Sequence, residues 1–350
     1  MSNKQEILGE NPIFISSPGI AVKNNFSLTK LLHCDILIFS SKMLSYIIKR
    51  LLLTIPTLLG IATITFILIY VIPGDPTSGI VGERISPETL KQIRTEMGLD
   101  KPLHIQYISY LYKLTHGDLG RSLSTKQPIS EAIIEKFPNT LRLAISAMFI
   151  AILLGVSIGI FAAITRGSFW DRLVMVLAVF GISTPVFWFG LFLIFIFSIK
   201  LGWLPISGMG GGNLLYLILP ATTLGLRSVA LIARITRTTM LETLGENYIK
   251  TARAKGLNEG MVIFKHALKN SLIPVVTLIG LDFGSYLNGS VLTETIFGWP
   301  GLGRYAVEGI MKQDIPQVMG IVLFGAFVFV IVNLIVDILY HFLNPKIRVQ

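Results

Sequence analysis

Residues 246–256 read Glu246-Asn247-Tyr248-Ile249-Lys250-Thr251-Ala252-Arg253-Ala254-Lys255-Gly256. Small residues, Thr251, Ala252 and Ala254, stand among basic ones, the pattern of a short polar helix. Gly256 ends it, because glycine tolerates the left-handed backbone that closes many helices. A second helix is predicted over Glu259–Lys269, with Val262, Ile263, His266 and Ala267 on one side. The two make a compact knob hinged at the glycine. The sequence on either side is long, apolar and nearly uncharged. Tyr248, Ile249, Ala252, Ala254 and Leu257 leave a small apolar surface that needs cover, as in a helix laid in a partner's groove. The stretch from Glu246 to Leu257 is therefore read as a docking surface for another protein.

Composition says what surrounds that surface. Of 350 residues, 52% are hydrophobic and 14% charged, with a mean hydropathy of +0.68. Soluble domains carry about 25% charged residues, so the repeated apolar runs indicate a polytopic membrane protein. The net charge of +10 reflects basic cytoplasmic loops facing anionic lipid rather than nucleic-acid binding. Cys34 is the only cysteine, which excludes an internal disulfide and a cysteine metal cluster.

Six spans are expected, with both termini cytoplasmic. Residues 1–42 read as a poorly ordered extension, or as a consequence of start-site choice, because Met43 opens a typical membrane-protein start. No cleaved signal peptide is recognisable. The first span lies within 43–74, and Lys42, Lys49 and Arg50 place its start inside. Residues 75–136 form an external helical segment with eight acidic and eight basic residues. Helices are predicted there after Ser86-Pro87-Glu88, over Pro102–Thr115, and briefly after Pro128. The remaining spans, in the core 137–342, are Leu143–Thr165, Leu173–Ile199 with a kink or local opening at Pro185, Leu214–Arg237, Asn270–Thr293 and Val318–Phe342. The polar segment 238–269 is cytoplasmic. With Arg237 it carries six basic and three acidic residues, the clearest positive-inside signal in the chain. Residues 294–314 are external, with Gly298–Gly303 as a turn, and 343–350 form a cytoplasmic tail.

No catalytic motif of a serine hydrolase or zinc protease is present, and no phosphate-binding loop. If solute moves uphill by ATP, the ATPase is another chain. No cofactor is expected and no metal site, since the five histidines are scattered. Charges inside spans are costly and face the bundle interior, a partner or a wet cavity. Arg227, Asp282 and Asp337 therefore stand as residues of a translocation path or gate. Ion pairing between helices is the alternative, and it applies also to Arg234. Gly280, Gly284 and Gly289 have the spacing of close helix packing.

The polar stretch through Leu257, followed by Lys265-His266-Ala267-Leu268-Lys269-Asn270 and Ile273-Pro274-Val275-Val276, resembles the cytoplasmic loop of ABC-importer permeases of the dipeptide/oligopeptide/nickel family. Ile72-Pro73-Gly74-Asp75-Pro76, His116-Gly117-Asp118-Leu119-Gly120, Leu292-Thr293-Glu294-Thr295-Ile296-Phe297 and Trp299-Pro300-Gly301-Leu302-Gly303-Arg304 extend the resemblance from about Met43 to the C-terminus. Lys250 and Thr251 depart from the Glu-Ala of the wider superfamily, while Ala252 and Gly256 keep its pattern. The resemblance implies an all-α, MetI-like type I importer fold. It implies a second homologous permease chain, two ABC ATPase subunits docking on Asn247–Lys255, and an extracytoplasmic solute-binding protein. The implied cargo is a di- or oligopeptide, with nickel or glutathione as alternatives. A stand-alone proton-coupled transporter is the rival class. It would need no docking loop, and it would show inverted repeats.

Overall fold

The computed structural model describes residues 48–67, 95, 100–287 and 290–343. The chain divides between Lys49 and Arg50, and the elements from Arg50 onward belong to one unit. The expectations for the N-terminal extension, the helix after Ser86, Gly289 and the C-terminal tail lie outside the described residues.

The described chain is helical. The elements are α1 (Ile48–Ile67), α2 (Leu103–Thr115), α3 (Ile129–Ile164), α4 (Phe169–Ser183), α5 (Val186–Lys200), α6 (Leu215–Leu244), α7 (Asn247–Ala254), α8 (Glu259–Leu287), α9 (Val291–Ile296), α10 (Leu302–Met311) and α11 (Ile315–Leu343). Among the described residues five helices (α1, α3, α6, α8 and α11) are long and apolar enough to cross a membrane, six if the bent pair α4–α5 counts as one span.

Three predicted boundaries shift. No separate helix follows Pro128. Instead α3 runs unbroken for 36 residues, because no turn residue intervenes and Pro138 removes only one backbone donor. At 1.5 Å per residue it is about 54 Å long, well beyond a ~30 Å hydrocarbon core. At Pro185 the expected kink or opening is a full break, the two arms of the third span meeting at 105°. Thr184, with ψ 128°, is extended, as steric contact with a following proline ring favours. Finally, the helix predicted over Glu259–Lys269 is the first part of the fifth span, since α8 continues to Leu287 with π geometry over Val262–Ala267.

The core sits where α3 crosses α6. Gly155 and Gly159, four apart on α3, face Ile232 and Thr236. A Cβ on Gly159 would lie 2.6 Å from the Thr236 Cβ and 2.7 Å from the Ala233 carbonyl oxygen. Gly225 answers from α6, its missing Cβ falling 2.8 Å from the Ala147 carbonyl oxygen. In a membrane, where lipid is as apolar as leucine, this close approach is what drives helices together. Gly159→Leu is expected to lower the thermal midpoint in detergent by the equivalent of about 1–3 kcal/mol of overpacking. Gly60→Leu, where nothing lies within 4 Å of a built Cβ, should leave the midpoint near wild type.

An ion pair fastens the turn between α3 and α4 to α6. Arg237 donates from Nε and Nη2 to the two oxygens of Asp171, the second at 2.8 Å, and Asp171 also accepts from the Gly167 amide at 2.9 Å. Ser168 caps α4 by accepting from the Asp171 amide. Helix α2 lies on α1: Tyr107 meets Thr63 at 2.6 Å, and its ring packs edge-on to Phe66.

Candidate coupling helix and translocation face

Helix α7 is eight residues long, too short to persist alone in water, and it is held by its own chain. Ile249 is fully buried and Ala252 nearly so, in a cluster with Ala163 of α3, Met240 of α6, and Val262 and Ala267 of α8. Leu257 packs against the same cluster. This corrects the expected apolar docking surface: Ile249, Ala252 and Leu257 face inward. The outward side includes Glu246, Asn247, Tyr248, Lys250, Thr251, Arg253, Ala254 and Lys255, a polar and basic surface.

The end of α7 is closed by two hydrogen bonds. The Gly256 amide donates to the Arg253 carbonyl at 2.9 Å, and the Leu257 amide donates to the Ala252 carbonyl at 3.4 Å. With Gly256 at φ +79°, this is a Schellman motif, and Leu257 supplies its usual hydrophobic contact. Arg253 reaches across the turn to Glu259 at 2.8 Å, and the Asn270 side-chain amide donates to the Tyr248 hydroxyl at 2.8 Å. The helix is thus tied on both sides to the base of α8.

Above it, α6 and α8 run antiparallel, joined along one line. Ser228 donates to the Asp282 carboxylate, Tyr286 donates to Ser228 at 2.6 Å and to the Leu224 carbonyl, and Thr239 donates to the Ser271 carbonyl at 3.0 Å. Helix α3 covers one side of this pair. Ala230 of α6 meets Gly181 of α4, and Gly280 and Gly284 of α8 meet Val336 and Val332 of α11, so both outer flanks are walled. The remaining side is open. On α6 it carries Arg227, Leu231, Arg234 and Thr238, at helical spacing. On α8 it carries Asn270, Pro274, Thr277, Leu281 and Ser285. Because the helices are antiparallel, both stripes lie on the side away from α3, with Asp282 and Ser228 in the floor between them.

Arg227 and Arg234 are exposed on this face, and neither is paired with an acid among the described residues. A cation near the middle of a span is not left against lipid. The face must therefore meet water or another chain. Asp337 lies elsewhere: its carboxylate pairs with Arg50 of α1 at 3.1 Å, the ion-pair alternative for that residue. Gly280 and Gly284 serve packing.

Glu294, inside a quoted motif but not singled out in sequence, is completely buried. Its carboxylate accepts from the Thr140 hydroxyl at 2.9 Å and the Arg304 amide at 3.1 Å, while the Thr140 oxygen accepts from the Leu302 amide at 2.8 Å. It thereby caps α10 and anchors the 291–311 segment to α3. The Gly298–Gly303 turn is packed, not loose, since Trp299 is 1% exposed. Asp314 is likewise buried and accepts from the hydroxyls of Ser122 and Ser124. The partners of Glu294 and Asp314 on α3 and in the 122–124 turn lie far apart from them in sequence, and no local pattern signals these contacts.

Comparison with known proteins agrees with this arrangement. Residues 155–349 match the model of the binding-protein-dependent transport system inner membrane component family, and residues 43–144 match that of its N-terminal membrane component. The dipeptide transport system permease protein DppB of Escherichia coli K12 is 44% identical over an alignment of 336 residues, covering 87% of this chain and 99% of that one. The di/tripeptide permease DppB of Pseudomonas aeruginosa is 44% identical over 88% and 100%. The glutathione transport system permease protein GsiC of Salmonella typhimurium is 44% identical over 87% and 99%. An inward-facing structure of the MetNI methionine ABC transporter aligns with a TM-score of 0.50 at 17% identity, covering 61% of this chain and 96% of that one, which speaks to the fold. The chain belongs to the binding-protein-dependent transport system inner membrane component family, as a dipeptide-type ABC-importer permease spanning the cytoplasmic membrane several times.

Proposed function

We propose that this chain carries di- and oligopeptides inward as one of two homologous permease subunits, driven by two ATPase subunits that dock on α7. Both termini are cytoplasmic in this reading, and a solute-binding protein delivers cargo to the outer mouth, near residues 75–136 and 294–314. ATP is hydrolysed on the partner chains. The observation that carries the proposal is the open α6–α8 face, whose mid-span charges end at the polar helix α7. Arg227 and Asp282 line the path, water and the second permease completing it. Motion of docked ATPases enters at α7 and reaches α6 and α8 through the Met240–Ile249–Val262 cluster.

The cargo follows the relatives named for dipeptide transport. Glutathione, itself a tripeptide, is the second reading, favoured by the equally similar glutathione permeases. The test is uptake of a labelled dipeptide into vesicles carrying the complete importer, with unlabelled competitors. Dipeptides are expected to compete, and competition by glutathione alone would overturn the first reading. Arg227→Ala should cut uptake about tenfold, the equivalent of ~1.4 kcal/mol, with complex assembly unchanged. Unchanged uptake would remove Arg227 from the path. A cysteine at the exposed Ser207, with Cys34 replaced, should react with an impermeant reagent only from outside. Labelling only from the cytoplasmic side would reverse the topology.

A further inference from the structure

A groove of about 660 Å³ runs between α1 and α11, away from the α6–α8 face. On α11 its lining extends from Ile321 to Asp337, which at 1.5 Å per residue is about 24 Å, most of a ~30 Å hydrocarbon core. Its walls are largely apolar, with Leu53 and Ile61 on one side and Val322, Phe329 and Leu334 on the other. Gly325 and Ala326 keep it open in the middle. Beside it, Leu52, Ile55 and Leu59 of α1 and Ile331 and Ile335 of α11 are exposed and apolar, the surface of helices that face lipid.

One end of the groove differs. Arg50 and Asp337 form their ion pair there, with side chains 47% and 30% exposed. Asn333 sits one helical turn from Asp337 on the same face. Its Oδ1 is buried with no hydrogen-bond partner among the described residues. Such an acceptor costs free energy unless a donor reaches it. The Thr54 and Thr57 hydroxyls cannot serve, because they already donate to the carbonyls of Arg50 and Leu53.

We propose that this groove binds one phospholipid with a primary-ammonium, zwitterionic headgroup, phosphatidylethanolamine in chemical class. An acyl chain lies along the apolar walls. The phosphate pairs with the Arg50 guanidinium, and the ammonium donates to Asp337 and to Asn333 Oδ1. Among the described residues that line it, the site carries one positive and one negative group, Arg50 and Asp337, so it matches a zwitterion. An anionic headgroup would satisfy Arg50 but meet the Asp337 carboxylate. A choline headgroup has the right charges but no N–H to give Asn333. The bound lipid would join the first and last spans, which touch at their charged ends.

The test is lipid retention by the complete importer, purified in mild detergent and exposed to an equimolar mixture of phosphatidylethanolamine, phosphatidylglycerol and phosphatidylcholine, with bound lipid counted by native mass spectrometry. One phosphatidylethanolamine per copy of this chain should be retained in about tenfold preference to either competitor, the worth of one charge-assisted hydrogen bond set. The pair Arg50→Asp with Asp337→Arg preserves an ion pair but reverses its polarity, so it should abolish the preference while the importer still assembles. Ala326→Phe, which fills the groove, should remove the retained lipid without touching either charge. Equal retention of the three lipids, or a preference unchanged in both variants, would overturn the proposal. So would efficient cross-linking of a cysteine at position 54 to the second permease chain, which would show that protein covers the groove.

Discussion

Gly256→Pro is expected to abolish ATP-driven uptake while leaving the chain inserted and its spans folded. The position has φ +79°, whereas proline holds φ near −65°, so the turn from α7 into α8 cannot form. Proline also removes the amide that donates to the Arg253 carbonyl at 2.9 Å. The backbone damage is confined to the turn, because nothing lies within 4 Å of a Cβ built at Gly256. A graded series separates backbone from contact: Gly256→Asn, which tolerates the left-handed region, should retain most uptake, and Gly256→Ala less, at a cost of about 1–2 kcal/mol. Ala252→Glu should match the proline variant by another route. It forces a carboxylate into the Ile249–Met240–Val262 cluster, where an unpaired charge is not tolerated. Co-purification with an ATPase subunit and uptake into vesicles are the measurements. Undiminished capture by both variants would end the docking role of α7.

Glu294→Ala should cause the largest loss of stability of any single change in the 291–311 segment. It strips the acceptor from the Thr140 hydroxyl and from the Arg304 amide, each buried donor costing about 1–3 kcal/mol when left unpaired. Glu294→Gln keeps one carbonyl oxygen and should cost less than alanine. The two also differ in pH response. Burial pushes the Glu294 carboxyl above its ordinary value, against the pull of the Arg304 amide, the Thr140 hydroxyl and the Gly303 amide. A carboxyl raised in the folded state contributes stability that is full below the ordinary glutamate value and is lost as pH rises through the raised one. The gap between wild type and Glu294→Gln should therefore narrow as pH rises over that interval. Thermal unfolding in detergent at several pH values checks this, and a gap that widens with pH would contradict it.

Much of the architecture was legible because it depends on local rules. Runs of apolar residues mark spans by length, and α3, α6 and α11 cover nearly all of Leu143–Thr165, Leu214–Arg237 and Val318–Phe342, whereas α8 ends at Leu287, short of the expected Thr293. Helix α7 and its end were readable from short range too, since a left-handed residue after a helix asks for glycine wherever it occurs. Boundaries were less secure. Pro185 was visible, but whether a proline kinks a helix or divides it depends on what the two arms pack against. The Glu259–Lys269 helix looked independent because Lys265, His266 and Lys269 interrupt the apolar pattern, yet no residue there stops a helix.

The functional side chains divide the same way. Arg227 and Asp282 were recognisable from sequence as charges in costly places, and the structure puts both on one open face. Asp337 carried the same signal and was sorted elsewhere, to Arg50, across nearly the full length of the chain. Ile249, Ala252 and Leu257 were seen as an apolar set, but their direction was not: they cover their own spans.

By itself, then, the sequence determined that this is a helical membrane protein with a short polar helix after its fourth span, because hydropathy, charge and helix termination are properties of neighbouring residues. Only the tertiary structure decided which side of that helix remains free, which intramembrane charges share a face, and that Glu294 holds α10 to α3. Those outcomes turn on pairs such as Thr140 with Glu294 and Ser228 with Asp282, 154 and 54 positions apart. Their free energy exists only once the helices have packed and excluded both lipid and water, so no local pattern records it.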